Sequence, residues 1–353
     1  SDTSSETSLL IQESIPAEHQ NTQMLFGKSI FLGDMAADEV RAFWIKQVTP
    51  SFSAAATVEF NSQLWAINGT ERLKIDGINF TGTAGAVGST DDKALLAFTG
   101  KTKNVTIENC SFSASFAHVV SAKIIGGTTY FNEVDSITLL NNTFKDKTSF
   151  GYAIFLWGIV GADGISIEDN EIDNCYEGIQ LKDMQYFNLS DNTLTNVRNA
   201  VRLDGQDGFN IEGNFIDATD NGLLMDFISG SKEKIISNNV ITADFGAAFT
   251  TDHVSSGDID VVFNTFTGNS SSTAVLKYGS TSFGVPTINF DFANNIAQHT
   301  NNGPVWSIGR NASAFSYSGR NNNYYTNGDT LVRAQDISYL NLSSFQTAYT
   351  ADT

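Results

Sequence analysis

Proline and cysteine are scarce in this chain, with four prolines and two cysteines in 353 residues. A near absence of proline suits paired strands, because proline cannot donate to a ladder. Two cysteines, Cys110 and Cys175, make neither a disulfide framework nor a zinc site, and both are expected as buried free thiols. No apolar run approaches the ~18 residues of a spanning helix, which argues against membrane insertion. No stretch sustains a 3.6-residue apolar period over ~10 residues, so long helices are not expected. Basic residues are few, 20 Lys and Arg against 39 Asp and Glu, for a net charge of −19. That balance disfavours nucleic acid or an anionic membrane as a broad-surface partner. The histidines His19, His118, His253 and His299 are scattered, and no cluster has metal-ligand spacing. No metal is therefore expected as a cofactor, with calcium on outward carboxylates the one ion to look for.

What the chain has in abundance is repetition. Gly164-Ile-Ser-Ile-Glu-Asp-Asn-Glu-Ile172, Phe187-Asn-Leu-Ser-Asp-Asn-Thr-Leu194, Phe209-Asn-Ile-Glu-Gly-Asn-Phe-Ile216 and Lys234-Ile-Ile-Ser-Asn-Asn-Val-Ile241 follow one pattern. Asn recurs at 170, 192, 214 and 239, a period of 22, 22 and 25 residues. A fixed period of this size marks a stacked repeat. Alternation with period two marks strands with one buried face, and Gly, Asn and Asp mark the bends. Such units coil into a parallel β-solenoid whose turns pair at ~4.8 Å. The recurring Asn falls at a corner, where stacked amides can pair their donors and acceptors turn after turn. The same position holds Ile78, Cys110 and Asn142 upstream, and Asn264, Asn294 (with a one-residue slip) and Asn322 downstream. The expected fold is all-β, a right-handed parallel β-helix of about ten turns. Residues 1–54 read as an N-terminal cap with irregular first turns, 55–328 as the helix and 329–353 as a C-terminal cap. In the first region Ala37–Phe43 reads as a short helix, and in the last Leu340–Ala348 does.

A second strand follows each Asn corner: Ala153–Trp157, Gly178–Lys182, Ala200–Asp204 and Gly222–Asp226. Ile179/Leu181, Val201/Leu203 and Leu223/Met225 must point inward, so their neighbours share an outward face. That face is expected to show Phe155 and Trp157, Gln180 and Lys182, Arg202 and Asp204, Leu224 and Asp226, with Thr251, Asp252 and His253 near its end. Exposed aromatics beside a row of charges suit a sugar polymer, because ring faces stack on sugars and charges orient hydroxyls and carboxylates. Phe155, Trp157, Gln180, Asp252 and His253 are the candidate substrate-binding residues. Two chemistries fit the row. Asp204 and Asp226 could be paired carboxylates for glycoside hydrolysis. Alternatively, Lys182 takes a proton beside a uronate carboxylate and Arg202 neutralises the developing anion, which is β-elimination. A non-catalytic carbohydrate-binding or adhesion helix is the third reading.

The repeat Ile165-Ser-Ile-Glu-Asp-Asn-Glu-Ile172 resembles that of the right-handed parallel β-helix, pectate-lyase-like superfamily, over about Leu73 to Tyr325. Within it the nearest look is to secreted bacterial proteins of the chondroitinase B and alginate lyase type. Lys182 in Gln180-Leu-Lys-Asp183 is similar to their strand-end Lys. Arg202-Leu-Asp-Gly205 sits where their Arg-His-Gly would be, with Leu203 at the aligned Arg position and no His. The resemblance implies a secreted, extracellular protein that cleaves or binds an acidic polysaccharide, lyase-like, with no cofactor. It leaves the sugar and the oligomeric state open.

Overall fold

The structure, a computed structural model, describes residues 7–8, 24–26, 31–32, 43–46, 56–60, 65–68, 71–82, 94–99, 102–114, 118–122, 134–146, 151–251, 256–279, 287–309, 316–334 and 337–349. The chain divides into two compact units, Ser1–Tyr176 and Glu177–Thr353.

In the first unit, six strands of one sheet run parallel and pair in chain order: Thr7–Ser8, Phe43–Lys46, Glu71–Asp76, Thr102–Glu108, Val134–Leu140 and Ile165–Glu168. The strands that follow the corners, such as Ile78–Gly82, Ser111–Ala114, Thr143–Lys145 and Glu171–Asp173, pair with one another in the same sense. The second unit repeats the plan. Phe187–Ser190, Phe209–Glu212, Lys234–Ser237, Ser256–Val262, Thr287–Ala293 and Ser316–Arg320 form its first sheet. Each unit is thus a parallel β-solenoid, and every repeat read from Leu73 onward becomes a rung of it. The right-handed sense is the one that parallel crossovers of L-residues adopt.

The core is one column of inward side chains per strand position. Ile75, Val105, Ile107, Leu139, Ile211, Ile236 and Val261 are all at or near zero exposure. Phenylalanines stack on their counterparts one turn away, Phe112 on Phe144 with ring centroids 4.8 Å apart and Phe187 on Phe209 at 5.6 Å. Each such ring contributes roughly 1.5–3 kcal/mol by burial, so a narrow column suffices where a globular domain would need a thick core.

The Asn corner forms a ladder. Each side-chain oxygen accepts from both the backbone N–H and the Nδ2 of the preceding rung, at 3.0 and 3.0 Å for Asn192 on Asn214 and 2.9 and 2.9 Å for Asn214 on Asn239. The line continues through Asn264 and Asn295 to Asn322. In the first unit it runs from Cys110 through Asn142 to Asn170. One assignment changes: the ladder residue is Asn295, not Asn294. Asn294 takes the left-handed conformation (φ 57°), as do Asn109, Asn141, Asp169, Asp191, Gly213, Asn238 and Asn321 immediately before their rungs. Two adjacent asparagines hid which was the bend and which the rung.

The N-terminal segment joins both sheets through Met24–Phe26, Phe31–Leu32 and Phe43–Lys46. The helix expected at 37–43 falls mostly outside the described residues, and its last residue, Phe43, begins a strand. At the C-terminus the expected helix is present as Leu342–Tyr349. Asn341 caps it, accepting from the Ser344 N–H at 2.9 Å. Before it, Ile337–Tyr339 runs antiparallel to Val332–Ala334. That reversal ends the parallel stacking and covers the last rung, a common device for a terminal repeat. No helix among the described residues is long and apolar enough to cross a membrane.

Candidate functional site

The second strands of the second unit carry the predicted row. Glu177–Met184, Thr193–Asp204, Phe215–Asp226, Phe249–Thr251, Leu276–Tyr278, Trp306–Ile308 and Val332–Ala334 pair in that order. Ile179, Val201, Leu223 and Phe249 stand in one inward column, and Leu181, Leu203, Met225 and Thr251 in the next. Their neighbours form two outward rows. One is Gln180, Arg202, Leu224, Thr250, Lys277, Ser307 and Arg333, and the other is Lys182, Asp204 and Asp226.

Within these rows charges pair across turns. Lys182 Nζ lies 3.6 Å from Asp204, and Arg202 Nη2 lies 3.3 Å from Asp226. The pairs are lopsided in exposure. The Lys182 and Arg202 side chains are 33% and 39% exposed, and those of Asp204 and Asp226 are 17% and 4%. A molecule approaching this face meets the cations first, with the carboxylates beneath them. Lys277 and Arg333 add two more cations farther along the same row. Among the described residues of these two rows, four cations thus stand with two carboxylates, and Glu177 and Asp183 add two acidic groups on the strand that carries Lys182. Two polar atoms on the row are buried without a hydrogen-bond partner, Arg202 Nε and Thr250 Oγ1.

Other expectations need correction. Phe155 is not an exposed platform: it is 7% exposed and stacks on Tyr152 at 5.7 Å. Gln180 occupies its outward register position but is 8% exposed, which leaves it little surface to offer. Thr251 pairs with Met225 and faces inward, and its neighbour Thr250 takes the outward place. The Trp157 side chain, Asp252 and His253 lie outside the described residues.

A second corner ladder runs behind the row. The Asn221 amide donates to Asn199 at 2.8 Å, and the Asn199 amide donates to Glu177 at 3.0 Å. Burial pushes the Glu177 carboxyl above its ordinary range, opposed by the Asn199 hydrogen bond and by the nearby Arg198 and Arg202. Glu177 was not singled out from the sequence, although positions 177, 199 and 221 repeat at the same spacing of 22 as the main ladder.

The fold and these rows define a parallel β-solenoid with charged groups on an outward face of its second unit. The chain belongs to the family described as periplasmic copper-binding protein (NosD), whose profile matches residues 77–307. Two solved structures from Azotobacter vinelandii are similar. One is the mannuronan C-5 epimerase AlgE4 A-module, at 11% identity over 79% of this chain and 88% of that one, with a TM-score of 0.38. The other is the AlgE6 A-module, at 9% identity over 80% and 90%, with a TM-score of 0.32. No curated protein matches the sequence.

Copper favours imidazole, thiolate and thioether donors. Among the described residues no three His, Cys, Asp or Glu side chains converge. Both His299 ring nitrogens meet backbone groups, Nε2 the Thr273 carbonyl and Nδ1 Asn301, each at 3.0 Å. The Cys110 thiol donates to the Glu108 carbonyl at 3.1 Å and that of Cys175 to Asp173 at 3.3 Å. Met184 and Met225 are core residues. The described residues therefore do not fit a copper site.

Proposed function

We propose that this protein binds an acidic polysaccharide along the outward face of its second unit. The observation that carries this reading is the exposure order of the two ion pairs: Lys182 and Arg202 lie open above covered Asp204 and Asp226. Uronate or sulfate groups spaced along an extended glycan would meet a cation every one to three turns. Charge-assisted hydrogen bonds from guanidinium and ammonium groups are among the stronger polar contacts. The rigid β-sheet fixes that spacing before binding, which lowers the ordering cost. The family's description as periplasmic supports an exported protein that works where such glycans occur.

Cleavage is the finer reading. In a lyase, Lys182 in its neutral amine form would take the C5 proton beside the uronate carboxylate, and the C4–O glycosidic bond would break as the C4–C5 double bond forms. The leaving oxygen would take a proton from water or from the Lys182 ammonium so formed, and Arg202 would hold the carboxylate as its charge develops. The same exposure order favours this pair over hydrolysis by Asp204 and Asp226, whose carboxyl groups are engaged by cations and largely covered. Affinity electrophoresis through gels containing alginate, pectate or chondroitin sulfate tests binding. Retardation by at least one glycan, reduced in Lys182→Ala and Arg202→Ala, is expected. Unretarded migration in all three gels would refute the reading. Ultraviolet absorbance of a new unsaturated uronate, followed in parallel, reports a lyase, and new reducing ends without that absorbance report a hydrolase.

A further inference from the structure

In the second unit the strands that follow the Asn ladder begin at Thr193, Phe215, Val240, Thr265, Ile296 and Asn323, and these six residues pair in that order. They form an outward row, because the residues after the first five, Leu194, Ile216, Ile241, Phe266 and Ala297, are all fully buried. Phe215, Val240 and Ile296 in that row are each at least 40% exposed. On the turn where the row holds Thr265, the corner two residues earlier carries Phe263, 60% exposed. Four consecutive turns, those of Asn214, Asn239, Asn264 and Asn295, therefore each show a large apolar side chain to water. Polar Thr193 and Asn323 bound the stretch. Apolar surface gathered in this way, with a polar rim, marks an interaction site.

The charges around the stretch are ordered. Asp191 lies at the corner of the Asn192 turn, and Glu212 and Asp217 flank the corner of the Asn214 turn. At the other end, Arg320 closes the first-sheet strand of the Asn322 turn, with its side chain 60% exposed. It meets Asp291 at 3.0 Å, and a guanidinium has further N–H donors to give. Between these ends the strand termini are Ser237, Val262 and Ala293, the corners are Asn238, Phe263 and Asn294, and the second outward positions are Thr242, Thr267 and Gln298. All nine are uncharged. The stretch is thus apolar in the middle, acidic at one end and basic at the other.

We propose that a second copy of this chain docks here, about a two-fold axis that runs parallel to the strands between the Asn239 and Asn264 turns. Such an axis sets the turns of the two copies against each other in reverse order. Phe215 then faces Ile296 of the second copy, the Val240 turn faces the Phe263 turn, and Arg320 meets Asp191. Each contact occurs twice, as a two-fold interface requires. A two-fold axis along the solenoid would instead set each turn against itself and bring Asp191, Glu212 and Asp217 onto their own counterparts, a like-charge contact. The charge order therefore selects the antiparallel pair. A chain with a net charge of −19 repels its copies in general, so an uncharged stretch with opposite charges at its ends is where two copies can meet. The six turns span about 24 Å at ~4.8 Å per turn. A strip of that length and a few residues wide lies at the small end of protein interfaces, so the dimer forms at micromolar to millimolar protein and separates on dilution.

Sedimentation velocity of the full chain over about 5–500 µM tests the proposal, and the protein should shift from monomer towards dimer across that range. Phe263→Asn and Ile296→Thr install residue types that neighbouring turns carry at the same positions, Asn238 and Asn294 for the first and Thr193 and Thr265 for the second. Both substitutions therefore suit the local backbone, and each should weaken association about fivefold or more by removing apolar contact area. Crosslinking reads the orientation. Thr193 and Asn323 are exposed, and the native Cys110 and Cys175 are buried. Thr193→Cys and Asn323→Cys proteins, oxidised together, should give more mixed dimer than either gives alone, because these positions face each other only in the antiparallel pair. A chain that stays monomeric throughout the range would overturn the proposal. So would association unchanged by both apolar substitutions, or Thr193→Cys protein that links chiefly to itself.

Discussion

Removing one rung from the middle of the Asn ladder measures what the ladder does for the fold. Asn214 is 1% exposed. Its Nδ2 donates to the Leu189 carbonyl at 2.8 Å, to Glu212 at 3.1 Å and to Asn239 Oδ1 at 2.9 Å. Its Oδ1 accepts the Asn192 N–H and Nδ2, both at 3.0 Å. In Asn214→Ala the buried Asn192 N–H loses its acceptor, and the Leu189 and Glu212 carbonyls lose a donor. Each buried group left unsatisfied costs about 1–3 kcal/mol, so a loss of roughly 2–4 kcal/mol is expected after partial relaxation. Asn214→Asp is the sharper test because it conserves shape. The carboxylate can still accept from Asn192 but would face three oxygens, those of Leu189, Glu212 and Asn239, with no proton to give. It should cost more than alanine at neutral pH and recover partly in acid, as the carboxyl takes up a proton and regains one donor. Urea denaturation of the three proteins at neutral and acidic pH decides the matter. An alanine variant within ~0.5 kcal/mol of wild type, the range of an ordinary surface change, would refute the reasoning. So would an aspartate variant no worse than alanine at neutral pH.

Three further outcomes are expected. Cys110 stands at a rung but meets the Ile78 N–H only at 3.5 Å, and burial pushes its thiol up to about 12; Cys110→Asn should add roughly 1 kcal/mol by making the missing bonds, and a lower urea midpoint would count against it. Glu177 binds its proton more readily folded than unfolded, so its contribution is fully present below its ordinary value of 4.5 and is lost as pH rises above it. Glu177→Gln should therefore flatten the fall in stability between mildly acidic and neutral pH, and an unchanged slope would exclude Glu177 as its source. Gly222→Ala would place a Cβ 2.5 Å from the Ala248 carbonyl oxygen and 2.4 Å from Ile241 Cγ2; overpacking of this kind costs about 1–3 kcal/mol, and an unaltered melting temperature would show that the neighbouring turn yields freely.

The fold was legible because three signals of different physical origin share one period: inward alternation, left-handed bend residues and buried amides. Where one was ambiguous, the others held the register, as at Cys110 and Ile78. Lys234 shows the limit. It stands at an inward position that takes Phe209 one turn earlier, yet it is charged. The structure buries it to 2% and turns its ammonium to the Gly230 and Lys232 carbonyls, each at 3.0 Å. That solution depends on corner backbone that no alternation pattern describes.

The site was less legible for a related reason. Alternation tells inward from outward, but not which outward side chains are covered. Phe155 and Gln180 kept outward register positions and proved buried. Conversely, Phe227 sits at a corner, where period two lapses and pattern reading assigns no face. Its residue type is unusual for its position, a corner that takes Asp183 and Gly205 in the two preceding turns, and Phe263 is unusual in the same way before the Asn264 rung. In a solenoid the equivalent positions of neighbouring turns serve as internal controls, because they share backbone geometry and differ only in side chain. Compared turn by turn, the corners at Phe227 and Phe263 stand apart from those that take Gly, Asn or Asp, while the Lys182–Asp204 and Arg202–Asp226 pairs are contacts that any stack of charged strands could form, so position in the repeat alone does not tell a functional pair from a structural one.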